Sequence, residues 1–275
     1  MTRLILHIKR LLPLIIFLSG PLYLSAGESN ETFRHINLGG GFTYHSIRDE
    51  GISSLLYSGR HNTVRAGINN HASSHLSQTE ISFSKAYLHP STYPELTESS
   101  VKTIIGKVNY TYMREAANIF NGHLELFAGG SLNNSYVYHR HMLFHNSAVR
   151  NSLYSTVNLT GMGAYDFTWN EKDLTLFYRM SVPVVSFNIR PSYAMSKPIG
   201  YLTNPGNGTK AFLESIEVAT VDSFRGLTNS ICLEYRLSSI HGLRLEYKWN
   251  YYEYNSGNTV KSGTNALLLN AFVNF

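Results

Sequence analysis

The sequence predicts an all-β protein, an antiparallel transmembrane up-and-down β-barrel of about 10–12 strands. Three observations carry this expectation. The dominant hydrophobic period beyond residue 33 is two, not 3.6. The alternating runs span about 9–13 residues, the length a tilted strand needs to cross a bilayer, whereas globular strands average about 5–6. Short and long connections alternate along the chain, as they do when turns gather at one end of a barrel and loops at the other.

Each run shows the pattern in turn. "HINLGGGFTYH" puts Ile36, Leu38, Gly40, Phe42 and Tyr44 on one face. "TIIGKVNYTYM" sets Ile104, Val108, Tyr110 and Tyr112 against Lys107 and Asn109. "HLELFAGGSL" sets Leu124, Leu126, Ala128 and Leu132 against His123 and Glu125. "LYSTVNLTGMGAYDF" sets Leu153, Val157, Leu159, Tyr165 and Phe167 against Asn158 and Asp166. In "DLTLFYRMSV", Leu174, Leu176, Tyr178, Met180 and Val182 oppose Asp173 and Arg179. "ICLEYRL" and "LRLEYKWNY" alternate most sharply, and the short "SSIHG" between them reads as a hairpin turn. Glu234, Arg236, Arg244, Glu246 and Lys248 lie on the polar faces of that pair. "TWNEKD" is a second short connection. "RDEGISSLLYSG", "HPSTYPELTESS", the stretches near 134–150 and 188–225, and "YNSGNTVKSG" are expected to be long polar loops. Ten strands are secure, and 188–225 could hold a further pair, although Pro191, Pro198 and Pro205 argue against regular strands there.

Composition agrees. The 275 residues include 19 Tyr and 14 Phe, and only 15% are charged, against about 25% in soluble domains. The formal charge is +5, and losing Arg3, Lys9 and Arg10 with the N-terminal segment leaves +2. No basic run with interleaved aromatics occurs, which excludes nucleic acid as a partner. Cys232 is the single cysteine, so it can form neither an intramolecular disulfide nor a cysteine-based metal site. The start, "MTRLILHIKRLLPLIIFLSGPLYLSAGES", has a basic head, an apolar core and small residues at Ser25-Ala26-Gly27, the three parts of a secretory signal peptide. Residues 1–26 are expected to be removed, leaving 27–275 as the barrel. Pro13, Gly20 and Pro21 interrupt the apolar core, which is short for a membrane helix of about 20 residues.

Periodicity alone does not tell a soluble sandwich from a membrane barrel. The aromatics do: Phe42 and Tyr44, Tyr110 and Tyr112, Tyr165 and Phe167, and Trp249 and Tyr251 gather at run ends, where amphipathic rings meet lipid head groups. Apolar faces then point to lipid and polar faces to the lumen.

The last ten residues, "ALLLNAFVNF", resemble the closing strand of bacterial outer-membrane barrels. Leu267, Leu269, Ala271, Val273 and Phe275 match the terminal aromatic with apolar residues at every second position before it. The resemblance implies a place in the bacterial outer membrane, contact with membrane lipids and lipopolysaccharide, and recognition of that strand by the barrel-assembly machinery. It implies a monomer or a member of a membrane complex. The Tyr- and Asn-rich strands are also similar to uncharacterised barrels of the Bacteroidota.

Function rests on the polar face. Lys107, Glu125, Asp166, Arg179, Glu234, Arg236, Arg244, Glu246 and Lys248 are expected in the lumen, with both signs in similar number. Such charges can pair into a structural network; an aqueous pathway is the alternative, and a selective pore would favour one sign. "HRHMLFH" places His139, His141 and His145 in an expected loop, with no Cys, Asp or Glu beside them to complete a metal site. Ser155 and His145 have a spacing reminiscent of outer-membrane phospholipases, yet Asn158, the nearest group to orient the imidazole, falls on the opposite face. The expectation is a non-enzymatic barrel without a cofactor, either a small channel or a structural or accessory barrel whose loops contact partners. A lipid hydrolase acting on the outer leaflet is the alternative.

Overall fold

The structure is a computed structural model that describes residues 33–72, 74–93, 95, 99–120, 123–142, 149–191, 198–204 and 206–275. The expected signal peptide lies outside the described residues. In chain order the elements are β1 (Phe33–Asp49), β2 (Ser53–Ala72), β3 (His75–Pro90), β4 (Val101–Ile119), β5 (Leu124–His141), β6 (Val149–Trp169), β7 (Lys172–Ile189), α1 (Ile199–Thr203), α2 (Gly208–Glu214), β8 (Glu217–Thr220), β9 (Phe224–Arg236), β10 (His241–Ser256) and β11 (Asn258–Asn274). Each strand from β1 to β7 pairs antiparallel with the next, β7 pairs with β9, β9 with β10, and β10 with β11. β11 closes onto β1 over fifteen residue pairs, from His35↔Asn274 to Asp49↔Val260. The result is a closed barrel of ten strands, with β8 as an extra short strand along the upper part of β7. Closure pairs every barrel strand on both sides over most of its length, as a sheet in lipid needs. The ladder is interrupted where β9 leaves β7 beyond Ser181↔Thr228 and β8 takes its place.

The end at which residues 33 and 275 lie is called the near end, where the Phe275 amide donates to the Arg34 carbonyl at 2.9 Å. The ends of β2, β4, β6 and β9 and the starts of β3, β5, β7 and β10 fall there. The far end holds the turns at 50–52 and 257, the end of β3 with the start of β4, the end of β5 with the start of β6, and β8 with the two helices.

The barrel strands run to as many as 21 residues in β6, longer than the alternating runs suggest. The cause is a change of sign along most of the strands, with β6 and β7 as exceptions: far along β7, Ser186 and Asn188 are buried while Phe187 stays exposed. In the near part of β1, Ile36, Leu38, Phe42 and Tyr44 point outward and are exposed, while His35, Asn37 and His45 are buried inside. Beyond Tyr44 the pattern inverts: Arg48 is exposed and Ile47 is buried in the lumen. β11 repeats it, with Leu267 and Leu269 outward near one end, and Val260 inward and Lys261 outward near the other. The near part follows the rule of a lipid-facing barrel; the far part follows the rule of a sheet in water, with its apolar face inside.

This inversion corrects three loop expectations. "RDEGISSLLYSG" is the end of β1, a tight turn at 50–52 and the start of β2. "YNSGNTVKSG" is a hairpin around Gly257, whose φ of +73° suits glycine. Much of 134–150 is strand, since β5 runs to His141 and β6 starts at Val149. Among the described residues, the 188–225 stretch holds α1, α2 and β8 rather than a spanning pair; α2 is capped by Asn207, whose side chain accepts from the Lys210 amide at 3.0 Å.

Candidate functional site

The lumen is stacked in three layers. The far layer is apolar. Ile47, Tyr57, Ala86, Leu88, Val101 and Val260 form one buried cluster, and Ile105, Val137, Tyr154, Ala219, Phe224 and Tyr254 form a second. Tyr252 packs against both. Leu88 and Val260 are 0% exposed, so this part of the lumen is packed like a soluble core.

Two arginines tie the far rim above it. Arg190 Nη2 lies 2.9 Å from Asp49 Oδ1 and its Nη1 donates to the Asn258 carbonyl at 2.9 Å. Arg150 donates to the Gly51 carbonyl at 2.9 Å and to the Pro191 carbonyl at 2.6 Å. Together they join the β1–β2 turn, the β10–β11 turn, the start of β6 and the end of β7. Tyr254 also donates to the Glu217 carboxylate, which accepts from Ser256 Oγ at 3.1 Å and so holds β8 to β10.

The middle layer is ionic. Arg65, 2% exposed, sits at its centre. Its Nη1 is 2.5 Å from Glu246 Oε2 and 3.2 Å from Glu80 Oε2, and its Nε donates to Asn270 Oδ1 at 3.3 Å. Arg179 approaches Glu246 at 3.8 Å and donates to Gln78 Oε1 at 2.7 Å. Lys248 Nζ is 3.9 Å from Glu80. Toward the near end Arg244 grips Glu234 with Nη2 at 2.5 Å and Nε at 3.1 Å. The β5–β6–β7 wall faces this layer with hydroxyls and an amide: Thr160 lies 3.1 Å from Ser131 and 3.0 Å from Ser181, and Asn158 Nδ2 donates to the Ser131 carbonyl at 3.1 Å.

The near layer is a vestibule of about 320 Å³. Glu125, Asp166, Glu234, Arg236 and Arg244 line it, and Ser239 and Asn274 mark its mouth at the near end. Thr175 Oγ1 donates to Asp166 at 2.6 Å, and His71 is 3.6 Å from Glu125. A second cavity, of about 110 Å³, lies between the ionic and apolar layers and is lined by Lys107 and Lys248. A small cavity of about 20 Å³ lies beside Glu80, Arg179 and Lys248 in the ionic layer.

Of the nine charged residues expected in the lumen, Arg179, Glu234, Arg244, Glu246 and Lys248 take part in the ionic pairs. Glu125, Asp166 and Arg236 line the vestibule, and Lys107 lines the second cavity. Arg65 and Glu80, the centre of the network, were not legible as candidates. Their signal is present but brief: Arg65 alternates with Val64 and Ala66, and Glu80 precedes Ile81 and Phe83. His139 and His141 are not in a loop but buried at the end of β5, with His141 edge-on to Tyr57 at 5.5 Å. His145 lies outside the described residues. Ser155 Oγ donates to Asn134 at 2.7 Å, while Asn158 is buried in the lumen wall. No group of three His, Cys, Asp or Glu side chains among the described residues has the geometry of a metal site. In β11, Leu267, Leu269, Ala271 and Val273 point outward, and Phe275, one residue beyond the strand, is exposed.

A closed ten-stranded antiparallel sheet with an apolar outer belt and a polar lumen defines a β-barrel of the bacterial outer-membrane type. A solved structure agrees on the fold. The outer membrane protease OmpT from Escherichia coli is similar with a TM-score of 0.53 and 9% identity, over 92% of this chain and 99% of that one. The translocator domain of the autotransporter NalP from Neisseria meningitidis gives 0.42 at 11% identity, over 98% and 96% of the two chains. Neisserial surface protein A gives 0.37 at 12%, over 90% and 100%. At 9% identity the likeness to OmpT is one of fold alone. These neighbours lend no support to the likeness with Bacteroidota barrels. No protein-family model matches the chain, and no curated protein matches it.

Proposed function

We propose that the protein is a non-enzymatic integral barrel of the bacterial outer membrane with a closed lumen, a structural or accessory barrel that offers its far rim to partners. The observation that carries this is the apolar far layer. Leu88, Val101, Val260 and Tyr254 are each at most 2% exposed, and a hydrated pore does not run through packed side chains. The far end faces outward from the cell, and the vestibule faces the periplasm. Lipopolysaccharide and other membrane lipids surround the belt, and the β11 face ending in Phe275 engages the assembly machinery. The chain acts as a monomer or within a membrane complex.

Purified protein in planar bilayers is expected to give no discrete conductance steps. Steps of uniform size in the unaltered protein would show a channel instead. The lipid-hydrolase reading has its own control: release of fatty acid from outer-leaflet lipid that vanishes in a Ser155→Ala variant would replace the non-enzymatic reading.

A further inference from the structure

One stretch of the barrel wall is not closed by a ladder. β7 pairs with β9 as far as Ser181↔Thr228, and β8 takes over only at Val185↔Thr220. Between them Val182, Pro183 and Val184 have no ladder partner on that side. Pro183 has no amide hydrogen to offer. Val184 is the extra residue where the β6–β7 register shifts, since Val157 pairs with Val185 and Asn158 with Pro183. Across the gap stands Gly226, where an added Cβ would lie 3.2 Å from Pro183 Cγ. The seam is therefore filled by a proline ring lying against a glycine, a contact that parts without breaking a ladder hydrogen bond.

What lies on either side gives the seam a use. Outside, Val157, Leu159, Val182 and Val184 are exposed and apolar, as a surface in lipid is. Exposed Arg225 stands beside it, at the depth where long cations reach head groups. Inside is the cavity of about 110 Å³, whose lining includes Pro183, Gly226 and Leu227. Irregular backbone at membrane depth persists where it lines a watered cavity. The cavity also holds Lys107 and Lys248 with Asn109, Asn133 and Asn250. Lys248 is shared with Glu80 at 3.9 Å; Lys107 makes no ion pair among the described residues.

We propose that this seam is a lateral entry for a single-chain anionic amphiphile, a fatty acid. Its carboxylate sits between Lys107 and Lys248, and its chain leaves past Val184 and Leu227 into the outer leaflet. The cavity suits a carboxylate and a few methylenes and is too small for a glycerophosphate with its acyl chain. The proposal rests on the placement in a bilayer argued above.

The test uses the full barrel in nanodiscs, with dodecanoate displacing a dansyl-labelled undecanoate. Lys107→Met is expected to weaken dodecanoate about tenfold, the loss of one charge-assisted contact, and to leave dodecanol unchanged. A Pro183→Cys/Gly226→Cys pair, in a Cys232→Ser background, is expected to lose dodecanoate binding when oxidised and to regain it when reduced. Undiminished binding in Lys107→Met or in the oxidised pair would overturn the proposal, as would tighter binding of lysophosphatidylglycerol than of dodecanoate. Heat-modifiable migration of each variant reports the barrel itself. An intact barrel that binds no dodecanoate therefore refutes the site and leaves the membrane placement standing.

Discussion

Arg65 is a charge held in a protein interior, and its neighbours explain how it stays there. Taking an ion out of water costs several kcal/mol, and only close, well-aligned partners offset it. Glu246 and Glu80 flank one nitrogen and Asn270 takes another. Asn270 reaches it because residue 39 is glycine: a Cβ there would lie 2.3 Å from the Asn270 side chain. Removing one partner of a buried pair leaves the other uncompensated. Glu246→Ala is therefore expected to lower barrel stability by about 3–5 kcal/mol, read as a lower urea midpoint of unfolding in detergent micelles. The double variant Arg65→Met/Glu246→Leu should recover most of that loss, because it leaves no orphan charge. The pairing itself was beyond the reach of the sequence. Arg65 and Glu246 come from β2 and β10, which face each other across the lumen without pairing as strands. The alternation around Arg65 lasts only from Val64 to Ile68.

The strands carry a second lesson. Alternation continues through the far halves of β1, β10 and β11, but the polarity of the faces reverses there. Outward apolar residues run as far as Tyr44 or Tyr251 and then stop, which in the sequence reads as a loop. The physical signal is instead a change of solvent. Where lipid gives way to water, the outward face turns polar, and apolar side chains move inside to make a core. Two of the four near-end turns, in "TWNEKD" and "SSIHG", were legible from their length, and the first carries strain. Trp169 pairs with Lys172, which leaves Asn170 and Glu171 as a two-residue loop with φ of 50° and 61°. That is a type I′ geometry, which favours Asn at the first position and Gly at the second. Glutamate lacks that freedom. Glu171→Gly is expected to stabilise the barrel by about 1 kcal/mol through relief of the left-handed conformation, seen as a higher urea midpoint of unfolding in the same micelles.

At the scale of the whole molecule the polarity reversal is a depth gauge. It divides the barrel into a belt for the bilayer and a collar that stands in water, with the ionic layer of the lumen inside the belt and the apolar layer inside the collar. A pair of arginine substitutions on one strand reads that boundary. Leu269 is exposed in the middle of the belt, between Gly40 of β1 and Leu245 of β10. Thr259 lies in the collar, where its hydroxyl bonds to Asn255 on the outer surface at 3.3 Å. A charge forced into hydrocarbon on a barrel's outer face costs about 2–4 kcal/mol at mid-depth and about 0–1 near the interface. For refolding into phospholipid vesicles, Leu269→Arg is expected to cost within the first range and Thr259→Arg within the second. In detergent micelles, which have no fixed thickness, the difference should shrink. Equal costs in vesicles would mean that the belt does not end where the faces exchange polarity, and that the collar too is embedded in lipid.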